Sequence, residues 1–359
     1  MTTLEDVLAL VAIDSVSTNE SALAKYVYEH LIVNSDLEVE RIGDNVIARS
    51  VGLHSFRVLV AGHLDTVPGD VTASVIEGDV LHGLGACDMK GSLAGMIDLA
   101  LDKTPRPVEV TWVFYAREEI SRSQSGLLEI AELRPDLLVA DVAVLAEPTG
   151  GRVEAGCQGT LRIKITLGGA RAHTARPFTG RNAIHRLGDL LSFVALYQPR
   201  EVQLEGVTYV EQLQAVSVEG GVAPNVVPDV ASCVLNHRVA PDRTLDQAVQ
   251  WLRDFLGELL DEQDVVEVKD WAPSASPELM NPHLTRLVEI SGETPQAKVG
   301  WTDVATFREF GIPATNFGAG DPLRAHRSDE YVTTDEVNRF ASVLGEWLRS
   351  TPNTSGTSI

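Results

Sequence analysis

The sequence predicts an α/β domain interrupted by a smaller α+β domain. Three observations carry this expectation. Apolar, β-branched strands alternate with helices between residues 56 and 147, as in a largely parallel sheet covered on both faces. The rhythm then changes to period two between 158 and 270, the mark of strands with one wet face. The first rhythm returns near 313 and runs into a final helix. The expected boundaries are 1–157 with 271–359 for the larger domain and 158–270 for the inserted one.

The elements follow in order. Leu4, Val7, Leu8 and Val11 fall at helical spacing, and Asn19 caps a second helix over 20–32. FRVLVAG (56–62) is a buried strand, DMKGSLAGMIDLAL (88–101) a helix, and VEVTWVFYA (108–116) a strand. A helix over 125–133 and the strand DVAVLAE (141–147) complete this stretch. In the inserted region, strands are expected over 159–168, 207–219, 229–239 and 265–269, with helices over 182–197 and 245–260. That order, β-α-β-β-α-β, is the ferredoxin-like split unit. A short strand over 313–319 and a helix over 335–349 close the larger domain. The polar tail 350–359 is expected to fray.

The 359 residues carry 29 basic and 51 acidic side chains, a net charge of -22. A field of that sign repels phosphate backbones and anionic membranes, so neither nucleic acid nor membrane is an expected partner. No apolar run approaches the ~20 residues of a membrane span, and the acidic N-terminal stretch lacks the features of a signal peptide. Cys87, Cys157 and Cys233 are too sparse for a disulfide framework, and a cytoplasmic location is expected.

The chemistry is carried by the position of acidic and histidine residues. His63 and Asp65 follow one apolar strand, Glu118 and Glu119 the next, and Glu147 ends a third. Asp88 opens a helix, and His326 follows the C-terminal strand. Ligands of open α/β sheets bind at the carboxyl ends of strands. Gathering these carboxylates there without compensation costs several kcal/mol each. A metal ion removes that cost, and imidazoles with carboxylates suit Zn²⁺, Co²⁺, Mn²⁺ or Fe²⁺. Five or more ligands drawn from this set are too many for one open tetrahedral zinc and suit two ions sharing a carboxylate. Single acids after strands are ordinarily caps, and Cys87 and the other histidines are read as structural.

The segments AGHLDTVP (61–68), GLGACDMKGSLAG (83–95), YAREE (115–119), LAEPT (145–149), RAHTARPFTGRNAIH (171–185) and GAGDPLRAHRSDE (318–330) span nearly the whole chain. Together they resemble the co-catalytic zinc amidohydrolases and metallopeptidases, the family of acetylornithine deacetylases, glutamate carboxypeptidases and succinyl-diaminopimelate desuccinylases. EAGCQG, GVAPNVVPD, GWTDV and NFGAGDP look most like the desuccinylase branch of actinobacteria.

The resemblance implies a zinc-aminopeptidase-like catalytic domain with an inserted ferredoxin-like domain that dimerises and acts as a lid. It implies two Zn²⁺ per chain, with Co²⁺ or Mn²⁺ as substitutes, and a small acyl-amino acid as substrate. His63, Asp88 and Glu147 would hold one ion, and Asp88, Glu119 and His326 the other. Glu118 would act as general base, and Asp65 would hydrogen-bond His63. His173 would stabilise the oxyanion in the partner's site of a homodimer formed through 158–270. Arg238, Asn225, Thr160 and Thr302 would contact substrate. Cys157-Gln158 and Trp301 depart from the family's usual residues. The implied reaction is hydrolysis of N-succinyl-LL-2,6-diaminopimelate in diaminopimelate and lysine biosynthesis. An acetylornithine-type deacylase or dipeptidase, or a non-catalytic metal-binding dimer, are the alternatives.

Overall fold

The computed structural model describes residues 2–52, 54–69 and 74–351. The chain forms two compact units. Met1–Gly156, Pro277–Gln296 and Asp303–Ile359 make the first, and Cys157–Ser276 with Ala297–Thr302 the second. The expected boundary at 270 is therefore too early, and a short segment near 300 rejoins the second unit. Backbone pairing explains both differences. Cys157 and Ala275 exchange hydrogen bonds of 3.2 and 3.0 Å, and the Gln158 amide donates to the Lys298 carbonyl at 3.2 Å. The Trp301 indole N–H donates to the Pro273 carbonyl at 3.0 Å.

The first unit is built on an eight-stranded mixed sheet. Its order is Glu38–Ile42, Asn45–Arg49, Glu109–Tyr115, Arg57–His63, Val142–Leu145, Ala314–Asn316, Glu154–Ala155 and Gln296–Ala297. The middle four strands are mutually parallel, with His63 opposite Tyr115, Ala61 opposite Leu145, and Asn316 opposite Leu145. Helices cover them, so Val58, Val60, Trp112, Phe114, Val142 and Val144 are all buried in one core. That burial is why these strands read as continuous apolar runs. Fully burying one such side chain contributes about 1.5–3 kcal/mol. In parallel register the four strands end at one edge, and Asp65, Glu118, Glu119 and Glu147 lie within a few residues of those ends.

Two expectations for this unit fail locally. The helix expected to be capped by Asn19 runs over Ser21–Asn34 with Glu20 at its N-cap and no side-chain cap bond, since the Asn19 side-chain amide turns to Asp14 instead. The helix expected from Asp88 begins only at Gly91. Asp88 (φ -118°, ψ 92°) and Met89 (φ -134°, ψ 34°) are non-helical, because the amides of Cys87 and Asp88 bond to a carboxylate outside the segment. The hairpin Glu38–Ile42/Asn45–Arg49 and a three-stranded sheet of Tyr331–Thr333, Val80–His82 and Val75–Glu77 were not anticipated. The tail expected to fray lies, beyond Thr351, outside the described residues.

The second unit holds a fully antiparallel four-stranded sheet. Its order is Gln212–Gly220, Val230–Val239, Gly159–Gly168 and Val265–Ala272. The helices Ala183–Val194 and Leu245–Leu256 pack on it through one core containing Leu187, Leu190, Leu252 and Leu256. A capping box starts the second helix: the Thr244 hydroxyl accepts the Gln247 amide at 3.4 Å, and the Gln247 side chain accepts the Thr244 amide at 2.9 Å. The single strand expected over 207–219 is instead two, broken at Glu211. The buried Glu211 carboxylate accepts the Ala240 amide at 3.0 Å and Arg243 at 2.9 Å, which holds this residue out of the ladder. Among the described residues, no helix is long and apolar enough to cross a membrane.

Candidate active site

The residue at each strand end has its own local anchor. His63 is the last residue of its strand and is buried. Its Nδ1 lies 2.9 Å from the Asp65 backbone carbonyl. A carbonyl only accepts, so Nδ1 carries the proton of that bond and Nε2 faces the site. The Asp65 carboxylate stands farther off, 3.6 Å from Nδ1. Its direct bonds go elsewhere, so the expected Asp65–His63 hydrogen bond is made by the backbone carbonyl and not by the carboxylate. Oδ1 accepts the Glu118 amide at 2.9 Å, and Oδ2 accepts the Glu119 amide at 3.0 Å and the Ser17 hydroxyl at 2.7 Å. Asp65 therefore fixes the backbone that presents both glutamates.

That backbone is strained at its start. Arg117 has φ 64°, a left-handed conformation uncommon outside glycine. Its amide donates to Glu20 at 3.1 Å, and its guanidinium pairs with Glu129. Glu147 is carried two residues beyond its strand, where the loop after Ala314–Asn316 crosses closely. A Cβ at Gly318 would stand 2.3 Å from the carbonyl oxygens of Ala146 and Glu147, so only glycine fits.

Asp88 joins the two histidines. Its Oδ1 lies 3.0 Å from His63 Nε2, and its Oδ2 lies 3.4 Å from His326 Nε2. His326 Nε2 is also 2.8 Å from Glu119 Oε1, and Glu147 Oε1 is 4.0 Å from His63 Nε2. Donor atoms of His63, Asp88 and Glu119 all lie within 4.8 Å of one another. His326 sits at φ 62° on a half-exposed loop, a second left-handed residue at the site.

The charges are strongly unbalanced, with four carboxylates of Asp88, Glu118, Glu119 and Glu147 around two imidazoles. Burial opposes a charge on His63, but Asp88, Glu147 and Asp65 outweigh it and hold its pKa well above the ordinary value. Hydrogen bonds to Asp88 and Glu119 bring His326 up to about 10. Burial also works against ionised Asp88, yet the bonds from His326 and His63 keep it below the carboxylate range. Glu118 moves the other way: burial, then the neighbouring Glu147 and Glu119 charges, raise it well above its ordinary value against the pull of His63. The surrounding carboxylates thus favour positive charge where divalent cations fit. The donor set suits them, since one carboxylate turns an oxygen to each histidine and each histidine has a further carboxylate beside it.

The remaining expected residues lie in the second unit. His173 is exposed on a two-residue strand paired with Val226–Val227. Its Nδ1 accepts the Ala175 amide at 3.0 Å, which leaves Nε2 as the protonated nitrogen of a neutral ring. Arg238 and Thr160 are cross-strand partners, and the guanidinium donates to the Thr160 hydroxyl at 2.6 Å. Asn225 is exposed, with its carbonyl accepting the Thr174 amide at 3.1 Å. Thr302 is buried.

Sequence reasoning missed residues that brace the site loops: Glu20 and Glu330 accept backbone amides, and Ser17 donates its hydroxyl to the Asp65 carboxylate. These bonds follow no spacing rule. The only hint is an unpaired acidic residue at the end of an otherwise recognisable segment.

Residues 59–350 match a family described as Peptidase family M20/M25/M40. Over 349 residues the chain is 42% identical to the succinyl-diaminopimelate desuccinylase of Corynebacterium glutamicum, covering 94% of each chain. A Mycobacterium tuberculosis relative, whose name assigns it provisionally to the same activity, is 45% identical over 96% of this chain and 97% of its own. Among solved structures, an aminopeptidase PepT from Bacillus cereus superposes with a TM-score of 0.80 at 18% identity, over 96% of this chain and 97% of its own.

Proposed function

The chain belongs to peptidase family M20/M25/M40, a hydrolytic family whose enzymes generally depend on a dinuclear metal centre, and we propose that it hydrolyses N-succinyl-LL-2,6-diaminopimelate to succinate and LL-diaminopimelate. The observation that carries the chemistry is Asp88, with one oxygen toward His63 and the other toward His326. The substrate rests on the names of the relatives 42% and 45% identical to it.

His63, Asp88 and Glu147 would hold one cation, and Asp88, Glu119 and His326 the other, with Zn²⁺ as the first choice. Such a pair supplies Lewis acidity, lowering the pKa of water and polarising the amide carbonyl. The rest of the work belongs to side chains. Glu118 takes a proton from water as the new C–O bond forms at the amide carbon. It then delivers that proton to the departing nitrogen as the C–N bond breaks. Asp65, by holding the Glu118 and Glu119 amides, keeps base and ligand in fixed relation. His173 of a second subunit donates its Nε2–H to the oxyanion. Arg238 binds a substrate carboxylate, and Asn225, Thr160 and Thr302 contribute polar contacts around it. Residues 158–270 form the dimer contact in this reading.

A substrate panel tests it. Zinc-loaded enzyme should cleave N-succinyl-LL-2,6-diaminopimelate with kcat/KM at least 10-fold above that for N-acetylornithine or a dipeptide, a margin of about 1.4 kcal/mol in transition-state binding. Release of free amine and succinate is the readout. A preference of that size for acetylornithine or a dipeptide overturns the assignment.

A further inference from the structure

Glu330 closes a concave cluster of backbone amides beneath the site. It is buried, 3% exposed. Its Oε1 accepts the amides of Cys87 and Asp88, both at 2.9 Å, and its Oε2 accepts the Gly85 amide at 3.1 Å. Its own carbonyl accepts the Gly83 amide at 3.1 Å. Three amides converging on one anion is the arrangement of an anion nest, here filled from within the chain. Gly85 makes the nest possible: it has φ 74°, and a Cβ there would lie 2.5 Å from the Thr66 methyl group.

The same residue is tied to the other candidate ligand. Glu330 stands four residues after His326, and its amide donates to the Arg327 carbonyl at 3.2 Å. The Arg327 amide in turn donates to the Arg324 carbonyl at 3.3 Å, so consecutive turns connect the His326 loop to Glu330. One side chain thus pins the turn that presents Asp88 while its backbone follows the loop that presents His326. Both segments need such support. Asp88 is non-helical at the start of a helix, and His326 is left-handed. Backbone held in sparsely populated regions persists only where its surroundings over-determine it. The buried Lys90 ammonium, bonded to the Ile13 carbonyl at 2.8 Å, supplies a positive charge nearby.

We propose that Glu330 is a positioning residue for the candidate metal centre, setting the Asp88 carboxylate against His326 so that one carboxylate serves two cations. The inference rests on the two-cation reading above. It assigns Glu330 no contact with substrate or metal.

The test is Glu330→Gln. Glutamine keeps one acceptor oxygen but turns N–H groups toward an amide donor and removes the charge. Titration of metal-free protein with Co²⁺, followed by calorimetry and visible absorption, gives affinity and ligand geometry. The melting temperature of the metal-free protein is measured beside it, and Asp329→Asn, an exposed neighbour outside the nest, is the control. The expected result is a 10- to 100-fold weaker second cation and an altered Co²⁺ spectrum, the scale seen for residues that orient metal ligands. Asp329→Asn should match wild type. If Glu330→Gln does not fold, Glu330→Asp retains the charge, withdraws the oxygens by one methylene, and gives the same reading. Two cations bound by a variant at wild-type affinity and spectrum, whatever the change in melting temperature, overturn the proposal. Wild-type protein that binds fewer than two cations refutes the underlying two-cation reading instead.

Discussion

Glu118→Gln should retain both cations and lose at least ~10²-fold in kcat, the lower range for removal of a general base. Glu118 follows the Glu109–Tyr115 strand, and its amide is fixed by Asp65 at 2.9 Å. It stands beside Glu147, His63 and Glu119, yet the cation-binding assignments are complete without it. Glutamine preserves size and backbone bonding and removes only the ability to accept and return a proton. KM should therefore change little, because the loss falls on the chemical step. Metal content and kcat measured on the same preparation separate this outcome from loss of a ligand. Turnover near wild type in the fully metallated variant would remove Glu118 from the role.

His173→Ala should lose about 10²–10³-fold in kcat, the cost of one oxyanion donor. The ring is prepared for that task, since Ala175 occupies Nδ1 and directs the proton of the neutral ring to Nε2. All the candidate ligands belong to the first unit and His173 to the second. In the proposed dimer each His173 serves the partner's metal centre, which mixing experiments detect. Glu118→Gln and His173→Ala subunits, each nearly inactive, are allowed to exchange. A heterodimer then has one site with both defects and one intact site, and should recover about half of the wild-type activity per dimer. Proven exchange without recovery would place His173 in its own chain's chemistry or outside it.

The parallel strands and the acids at their ends were legible because burial on both faces and the carboxyl-edge rule leave direct traces in sequence. What was not legible depends on backbone amides. Asp65 bonds His63 as expected, but through its backbone carbonyl, while its carboxylate gathers the amides of Glu118 and Glu119. Nothing in H-x-D spacing distinguishes those choices. The run from Asp88 reads as helix because its apolar residues continue the pattern, whereas Glu330, 242 residues away, captures the first amides. Glu211 broke an otherwise regular strand pattern for the same reason: its buried charge answers to Arg243 and the Ala240 amide. The unit boundary at 276 and the return at 297–302 depend on pairing with Cys157 and Gln158, which local periodicity does not encode.

The cation stoichiometry of the wild-type protein tests the central claim most directly. Metal-free enzyme is titrated with Zn²⁺ or Co²⁺ to saturation, and bound metal per chain is measured by elemental analysis alongside the appearance of amidase activity. With Asp88 shared between the His63 and His326 sides, two cations per chain should bind and full activity should require both. A single cation at saturation, with full activity, would contradict the account.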